Sequence, residues 1–241
     1  MNSLTIPLRT LVDPVGAVPA AVESRRWLIP LLLLCVTTAA AGAVIALRLD
    51  TARTVIPKMA MSGELMKASE REVSEAVEQA QRVALVGGIA RGLLLMPLLV
   101  LALAVALKIS MWLIGRKALF ADLFTVAALT MLPVAVFHSI EIISALRLDL
   151  ITPRVAETLV PSSLSAFFSQ TPPGIGRVYK AIDFVNLWSA LVMGLGLAAA
   201  SKWTPARGAL FGLLLYTLFA AAFLVGLPGM MPPEGLGGGP R

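Results

Sequence analysis

Two uncharged segments near the C-terminus, separated by a short polar turn, constrain this chain more than any other feature. Phe184 to Ser201 and Gly208 to Gly226 contain no charged residue. At about 1.5 Å per helical residue, each segment is about long enough to cross a hydrocarbon core of about 30 Å. The six residues between them, 202–207, leave no room for a domain. The two helices must therefore turn straight back on each other, which predicts a protein that crosses the membrane several times.

The composition supports the same class. The chain has 241 residues, of which 58% are hydrophobic and 14% charged, and its mean hydropathy is +0.86; these values are typical of integral membrane proteins. The net charge of +6 is spread along the chain, without the cluster of basic and aromatic residues that nucleic-acid binding requires. We therefore expect the lipid bilayer as a partner and no nucleic acid.

The metal-ligating residue types are nearly absent. Cys35 is the one cysteine and His138 the one histidine, so the chain has no intrachain disulfide and no zinc site built from thiolates or a histidine cluster. Cys35 lies in an apolar run, where a small packing role is expected. The sequence predicts no metal site and no cofactor.

The predicted fold class is all-α, a polytopic integral membrane helical bundle with about five transmembrane helices. The spans are expected at about 27–47, 83–114, 122–146, 182–201 and 206–227, within a membrane domain covering 27–228. Residues 1–26 are broken by prolines and are predicted to lie at the cytosolic membrane surface. The first span is expected to be a retained anchor, with a cleaved signal peptide as the alternative. The Pro- and Gly-rich tail at 229–241 is predicted to be disordered.

The loop at 48–82 contains an amphipathic pattern from Glu64 to Arg82. Ser62 is a plausible N-cap, and two opposite-charge pairs are spaced four residues apart. The apolar stripe of this helix consists of Met66, Val73, Ala76, Val77, Ala80 and Val83. Such a helix is either a partner-binding element or a solvated extension of the second span, which itself contains Arg91, Pro97 and Lys108. The helix is predicted to continue into that span without a break.

Two groups of polar residues are candidate sites. His138 and Glu141 share a face of the third span, and an ionisable residue inside a membrane is a functional hypothesis by default. The alternatives are proton or ion handling and a structural contact, either His–Glu or Glu–Arg. Asp183, Asn186 and Trp188 lie at the entrance to the fourth span, where an anchoring role or a recognition role is expected.

Short basic segments predict the orientation. The pairs Arg25–Arg26, Arg116–Lys117 and Lys202/Arg207 fall on one side of a five-span chain, so that side is expected to be cytoplasmic. The N-terminus is then cytoplasmic and the C-terminus outside. Small residues recur every four positions in the first, fourth and fifth spans, at Gly42/Ala46, Ala190/Gly194/Ala198 and Gly208/Gly212. These seams allow close helix approach, either within the chain or between two copies.

Several segments together resemble the Yip (Ypt-interacting protein) membrane-domain family, in its prokaryotic branch. They are D-F-V-N-L-W from Asp183, K-W-T-P-A-R from Lys202, S-S-L-S-A-F-F from Ser162 and the segment from Gly115 to Pro133. The resemblance implies a five-span bundle, here in a bacterial inner membrane. Eukaryotic relatives bind Rab-type GTPases partly through a long cytosolic N-terminal region. Only 26 residues precede the first span here, so GTPase binding is not expected to carry over.

The signatures of membrane enzymes are missing from the sequence. There is no H-E-x-x-H, no G-x-S-x-G and no phosphate-binding G-x-x-x-x-G-K-[ST] motif. No catalytic, cofactor-binding or metal-binding residue is therefore predicted. The expected function is a non-enzymatic membrane scaffold or adaptor that contacts other membrane proteins or a second copy of itself. The alternative is a small permease or transport subunit that uses His138 and Glu141 as a polar relay.

Overall fold

The structure, a computed structural model, describes residues 5–168 and 173–222, and within these ranges it is helical without a β-sheet. The tail predicted at 229–241 and the last residues of the predicted fifth span lie outside the described residues. The helices are α1 (Ile6–Val12), α2 (Pro14–Glu23), α3 (Leu28–Arg48), α4 (Ala52–Ser62), α5 (Glu70–Ala90), α6 (Met96–Leu113), α7 (Phe120–Thr130), α8 (Leu132–Leu146), α9 (Pro153–Glu157), α10 (Pro173–Ala181), α11 (Phe184–Ser201) and α12 (Pro205–Phe219).

Five helical segments in the described residues are long and apolar enough to cross a membrane, which confirms the predicted fold class. They are Leu28–Arg48, Glu70–Leu113, Phe120–Leu146, Phe184–Ser201 and Pro205–Ala222. The third is the most buried of the five and the fifth the least. Leu123, Val126, Leu129 and Leu132, all fully buried, place the centre of the core on α7 and the start of α8.

Successive spans run in opposite directions, so their connections gather at two ends of the bundle. At one end, which we call the basic end, Arg25 binds Asp122, and Ser201 at the end of α11 contacts Met111 near the end of α6. At the other, the loop end, Leu49 after α3 pairs with Ile151 in a short parallel bridge. The basic end gathers the short charged segments, and the loop end holds the two long connections.

Glycines allow two pairs of helices to touch along their backbones. A Cβ on Gly208 would lie 2.3 Å from the carbonyl oxygen of Gly194, and one on Gly212 would lie 2.3 Å from that of Ala190. A Cβ on Gly42 of α3 would lie 2.7 Å from Cα of Gly88 in α5. Because no side chain fits between these backbones, the predicted small-residue seams are contacts within one chain.

The second span is one continuous helix of 44 residues that includes a π-helical segment, Arg91–Leu95, between α5 and α6. The Met96 amide donates to the carbonyl of Arg91, five residues earlier. Pro97 follows directly, and its ring lacks an N–H and collides with the carbonyl four residues before it. The wider turn accommodates the proline without ending the helix. The predicted continuity of the helix into the membrane is therefore correct.

The predicted start of this helix was wrong. It begins at Glu70, where Ser69 and Glu72 form a reciprocal capping box, and not at Glu64. Ser62 is the last residue of α4, a helix that occupies the segment predicted as a loop. Met66 lies in the turn between the two helices with 94% of its surface exposed, so it does not belong to the apolar stripe.

The N-terminal segment packs against the bundle through two short helices. Asp13 caps α2 by accepting a hydrogen bond from the Gly16 amide at 3.2 Å. The helix α2 contacts α7 and α11, while α1 contacts α3 and α8. Ile6 and Val18 are fully buried in these contacts. The segment predicted to lie at the membrane surface thus contributes to the core of the bundle.

Candidate functional site

The entrance to α11 is tied to the preceding loop and to α12 by a set of hydrogen bonds that we call the Asp183 junction, formed by Asp183, Ser162, Asn186, Ala181 and Tyr216. The Asp183 carboxylate caps α11, accepting from the Asn186 amide at 3.0 Å, and its other oxygen accepts from the Ser162 hydroxyl. The Phe184 amide donates to the Ser162 carbonyl at 2.9 Å. Asp183 is buried, and both of its carboxylate oxygens accept hydrogen bonds from groups of its own chain.

Tyr216 extends the junction to the fifth span. Its hydroxyl donates to the carbonyl of Ala181, thirty-five residues earlier. The same hydroxyl faces the side chain of Asn186. The junction therefore joins the loop before α11, the first turn of α11 and the loop-end half of α12.

Trp188 lies one turn beyond the junction, where its ring contacts Phe184 edge-on at 5.4 Å between centroids. The described residues also define the surroundings of its indole N–H. The nitrogen is buried and has no hydrogen-bond acceptor among them. Trp188 therefore acts there through apolar packing, while Asn186 remains exposed.

His138 and Glu141 form a close pair within the third span. Nδ1 of His138 lies 2.5 Å from a carboxylate oxygen of Glu141, and both side chains are largely buried. Of the two structural contacts left open by the sequence, the described residues show the His–Glu one. Nε2 of His138 is also buried and has no hydrogen-bond partner among the described residues. This pair is not part of the Asp183 junction.

The basic end contains a third polar cluster that the sequence did not single out. Arg25 and Asp122 lie 3.1 Å apart beside an open cavity of about 340 Å³ between α2, α7 and α11. Trp203 contacts Phe211 edge-on at 5.4 Å, and the Arg207 guanidinium lies 4.8 Å from the Trp203 ring centroid. Arg25–Asp122 joins residues 97 positions apart, a contact that local spacing cannot indicate.

The start of α5 lies outside the apolar part of the second span and is stabilised electrostatically. The backbone amide of Ser69 donates a hydrogen bond to the Glu72 carboxylate at 2.7 Å, and the Ser69 hydroxyl donates another at 2.9 Å. These bonds, that of the amide first, hold the pKa of Glu72 below its ordinary value. A carboxylate in the first turn also favours the positive end of the helix dipole. These interactions determine where the helix begins.

The junction, the seams and the five spans all lie within one stretch that comparison with known families identifies. The model of the Yip1 domain family matches residues 8–227. The chain belongs to the Yip1 domain family. The matched stretch begins at Leu8, so this Yip1 domain includes α2 and most of α1 as well as the five spans. Comparisons with curated proteins and with solved structures each found no match.

Membership identifies a multi-pass membrane protein of the Yip type. In the Asp183 junction, the Asp183 carboxylate and the hydroxyls of Ser162 and Tyr216 all form hydrogen bonds with groups of the same chain. The described residues contain no group of three or more His, Cys, Asp and Glu side chains that could hold a metal.

Proposed function

We propose that this Yip1 domain protein is a non-enzymatic membrane scaffold or adaptor, and that its partner surface is the α4–α5 projection, defined as residues 52–82. The observation that supports the proposal is that neither α4 nor α5 has a fully buried residue, although both are well-formed helices. A helix pair that buries so little within its own chain has surface available for another protein.

The projection extends well beyond the loop end of the bundle. Gly88 packs on Gly42, which is six residues before the end of α3, whereas α5 begins eighteen residues before Gly88. At about 1.5 Å per residue these are about 9 and about 27 Å, so α5 reaches about 18 Å past α3. The projection therefore rises clear of the headgroups on that side.

The chemistry of the projection suits a protein partner. Met61 and Met66 are 81% and 94% exposed near its tip, and methionine adapts its shape to different apolar partners. Arg71–Glu75 and Arg82–Glu78 pairs lie along α5 at 2.7 and 3.6 Å. We propose that the partner is another membrane protein or a second copy of the chain.

The proposal includes an orientation and a membrane. The basic end faces the cytoplasm, because its short segments carry the arginines and lysines that resist translocation. The N-terminus is then cytoplasmic, and the projection and the C-terminus lie outside. The resemblance to the prokaryotic branch supports a bacterial inner membrane.

Site-specific photo-crosslinking in intact cells tests the adaptor function. A benzoylphenylalanine at Met66 is expected to give a discrete crosslinked protein band, while one at the lipid-facing Leu101 on α6 gives none. Replacing Met61 by lysine is expected to remove the Met66 band without lowering the amount of protein in the membrane. A Met66 probe that crosslinks no protein, or only the same species as Leu101, contradicts the proposal.

A second candidate is a small permease or transport subunit, favoured by the unpartnered Nε2 of His138 beside Glu141. A buried imidazole with one nitrogen unsatisfied is suited to accept or release a proton inside the membrane. Proton-coupled flux in liposomes containing the protein, abolished by Glu141→Gln, would favour this candidate over the adaptor. Tracer leak no greater than that of empty liposomes would leave this candidate unsupported.

A further inference from the structure

Arg91 is a cation placed deep in the apolar part of the second span. It adjoins Gly92, where a Cβ would lie 2.3 Å from the amide nitrogen of Ala39. Ala39 is the twelfth of the 21 residues of α3. Arg91 therefore lies at the depth of the middle of the first span, where an unpaired charge is costly.

The protein supplies no partner for this charge in the described residues. The side chain of Arg91 is exposed on the outer surface of the bundle, and neither the ion pairs nor the side-chain hydrogen bonds of the described residues include it. Lys108, the other cation in the apolar part of this span, differs because its ammonium donates to the Ala118 carbonyl at 2.7 Å. Of these two cations, Arg91 is therefore the one whose partner must come from outside the described residues.

The helix leaves a path from Arg91 toward the loop end. Side chains on a helix lean toward its N-terminus, and the N-terminus of α5 lies at the loop end. Gly87 is four residues, or about 6 Å, farther along that direction. It is exposed, and a Cβ there would meet nothing within 4 Å. We call the open surface over Gly87, on the loop-end side of Arg91, the Arg91 notch.

The backbone is irregular at the same position. The π-helical segment begins at Arg91 itself, and single π turns in α-helices occur frequently at functional sites. Pro97 explains why a wider turn is needed nearby. It does not explain why the segment begins with a charged, outward-facing residue.

We propose that Arg91 binds the phosphate of a phospholipid from the leaflet at the loop end, whose headgroup descends into the Arg91 notch. A guanidinium donates two parallel hydrogen bonds to a phosphate, and the pair is strengthened away from water. Arg82, paired with Glu78, lies about 13.5 Å farther along the helix. The bound phosphate therefore lies deeper in the bilayer than Arg82, in a position that a freely exchanging lipid does not occupy.

Native mass spectrometry of the full chain, purified in micelles containing phosphatidylglycerol and phosphatidylcholine, tests this proposal. The wild-type protein is expected to retain a phospholipid after the detergent is removed. Arg91→Gln is expected to lower the retained fraction by at least about tenfold, because the substitution removes a charge-assisted hydrogen bond to the phosphate. Arg91→Lys is expected to lower retention less than Arg91→Gln, because lysine keeps the positive charge, but still below the wild type, because lysine cannot make the bidentate contact. Lys108→Gln is the matched control and leaves retention unchanged.

Gly87→Leu tests the notch without changing the charge. It fills the open space and is expected to lower retention as Arg91→Gln does, while thermal unfolding in detergent stays cooperative. Retention unchanged in both Arg91→Gln and Gly87→Leu overturns the proposal, as does an equal loss in Lys108→Gln. Displacement of the lipid by millimolar inorganic phosphate also overturns it. A wild-type dimer that Arg91→Gln dissociates would show that the partner is a carboxylate of a second copy, which contradicts the lipid.

Discussion

At the scale of single residues, Asp183 is the side chain whose loss is expected to cost the most in the junction. Asp183→Ala removes the cap of α11 and leaves the Ser162 hydroxyl without its acceptor. We expect a loss of about 1–2 kcal/mol in unfolding free energy, seen as a lower melting temperature in detergent. Asp183→Asn keeps a cap acceptor and should lose less, and Ser162→Ala should lose only one of the two bonds.

The outcome that contradicts this anchoring role is specific. If Asp183→Ala purifies with an unchanged melting temperature and yet loses a crosslinked partner or a cellular phenotype, the entrance to α11 is a recognition site. The internal hydrogen bonds of the carboxylate favour the anchoring role.

Trp188 offers a test that separates packing from hydrogen bonding. Its indole nitrogen is buried without an acceptor among the described residues, and burying an unpaired donor costs about 1–3 kcal/mol. Trp188→Phe removes that donor and keeps a ring against Phe184. We expect Trp188→Phe to melt at or above the wild-type temperature and Trp188→Ala below it. A large loss in Trp188→Phe would show that the nitrogen has an acceptor, contrary to this prediction.

At the scale of helices, the start of α5 is expected to depend on pH through Glu72. The pKa of Glu72 is lowered in the folded state by Ser69, so the cap is fully stabilising above the unfolded-state pKa of about 4.3. The stabilisation is lost as the pH falls through the lower folded-state value. Hydrogen exchange at the amides of residues 70–76, corrected for intrinsic rates, should accelerate over that range. Glu72→Gln should remove the pH dependence, and an unchanged dependence would contradict this origin.

The seam between α11 and α12 is the helix contact most sensitive to side-chain size. Gly208→Leu places a side chain where a Cβ alone already meets the Gly194 oxygen at 2.3 Å. The two helices can make room for the side chain only by moving apart, so we expect the folded yield to fall sharply. The measurement is the amount of protein that elutes as a monodisperse peak in size-exclusion chromatography. Leu210→Ala on the same helix is the matched control, because Leu210 is 71% exposed and its surroundings in a membrane are lipid. Equal losses in the two variants would contradict the seam as an internal contact.

At the scale of the whole molecule, the prediction is the orientation in the membrane. In a Cys35→Ala background, a cysteine at Thr204 is expected to be protected from an impermeant maleimide in intact cells, because the basic end faces the cytoplasm. A cysteine at Met66, on the projection, is expected to react. Membrane permeabilisation should expose Thr204. The reverse pattern in intact cells would invert the proposed topology.

The sequence by itself determined the membrane class, the number of spans and their approximate positions. The length of a segment and its lack of charge are local properties, and they decide directly whether the segment can cross a bilayer. It also indicated the continuity of the second span. It placed His138 and Glu141 on one helix face, since residues three or four apart share a face, but it left a His–Glu and a Glu–Arg contact both open. It placed the start of α5 wrongly because Ser62 and Ser69 are both acceptable caps. Which one is used depends on the capping partner Glu72 and on the formation of α4 before it.

Only the tertiary structure decided the contacts between distant segments. Ser162 and Tyr216 meet at Asp183 and Ala181, Arg25 meets Asp122, and the N-terminal helices enter the core, none of which a local period encodes. The depth of Arg91 in the membrane was also decided by the tertiary structure. In the sequence, a cation near the end of an uncharged run suggests a side chain that reaches the headgroups. Its depth is set instead by the Gly92 contact with Ala39. Depth in a membrane is measured against neighbouring helices, and therefore follows from packing, whereas the hydrophobicity of a segment follows from its residues alone.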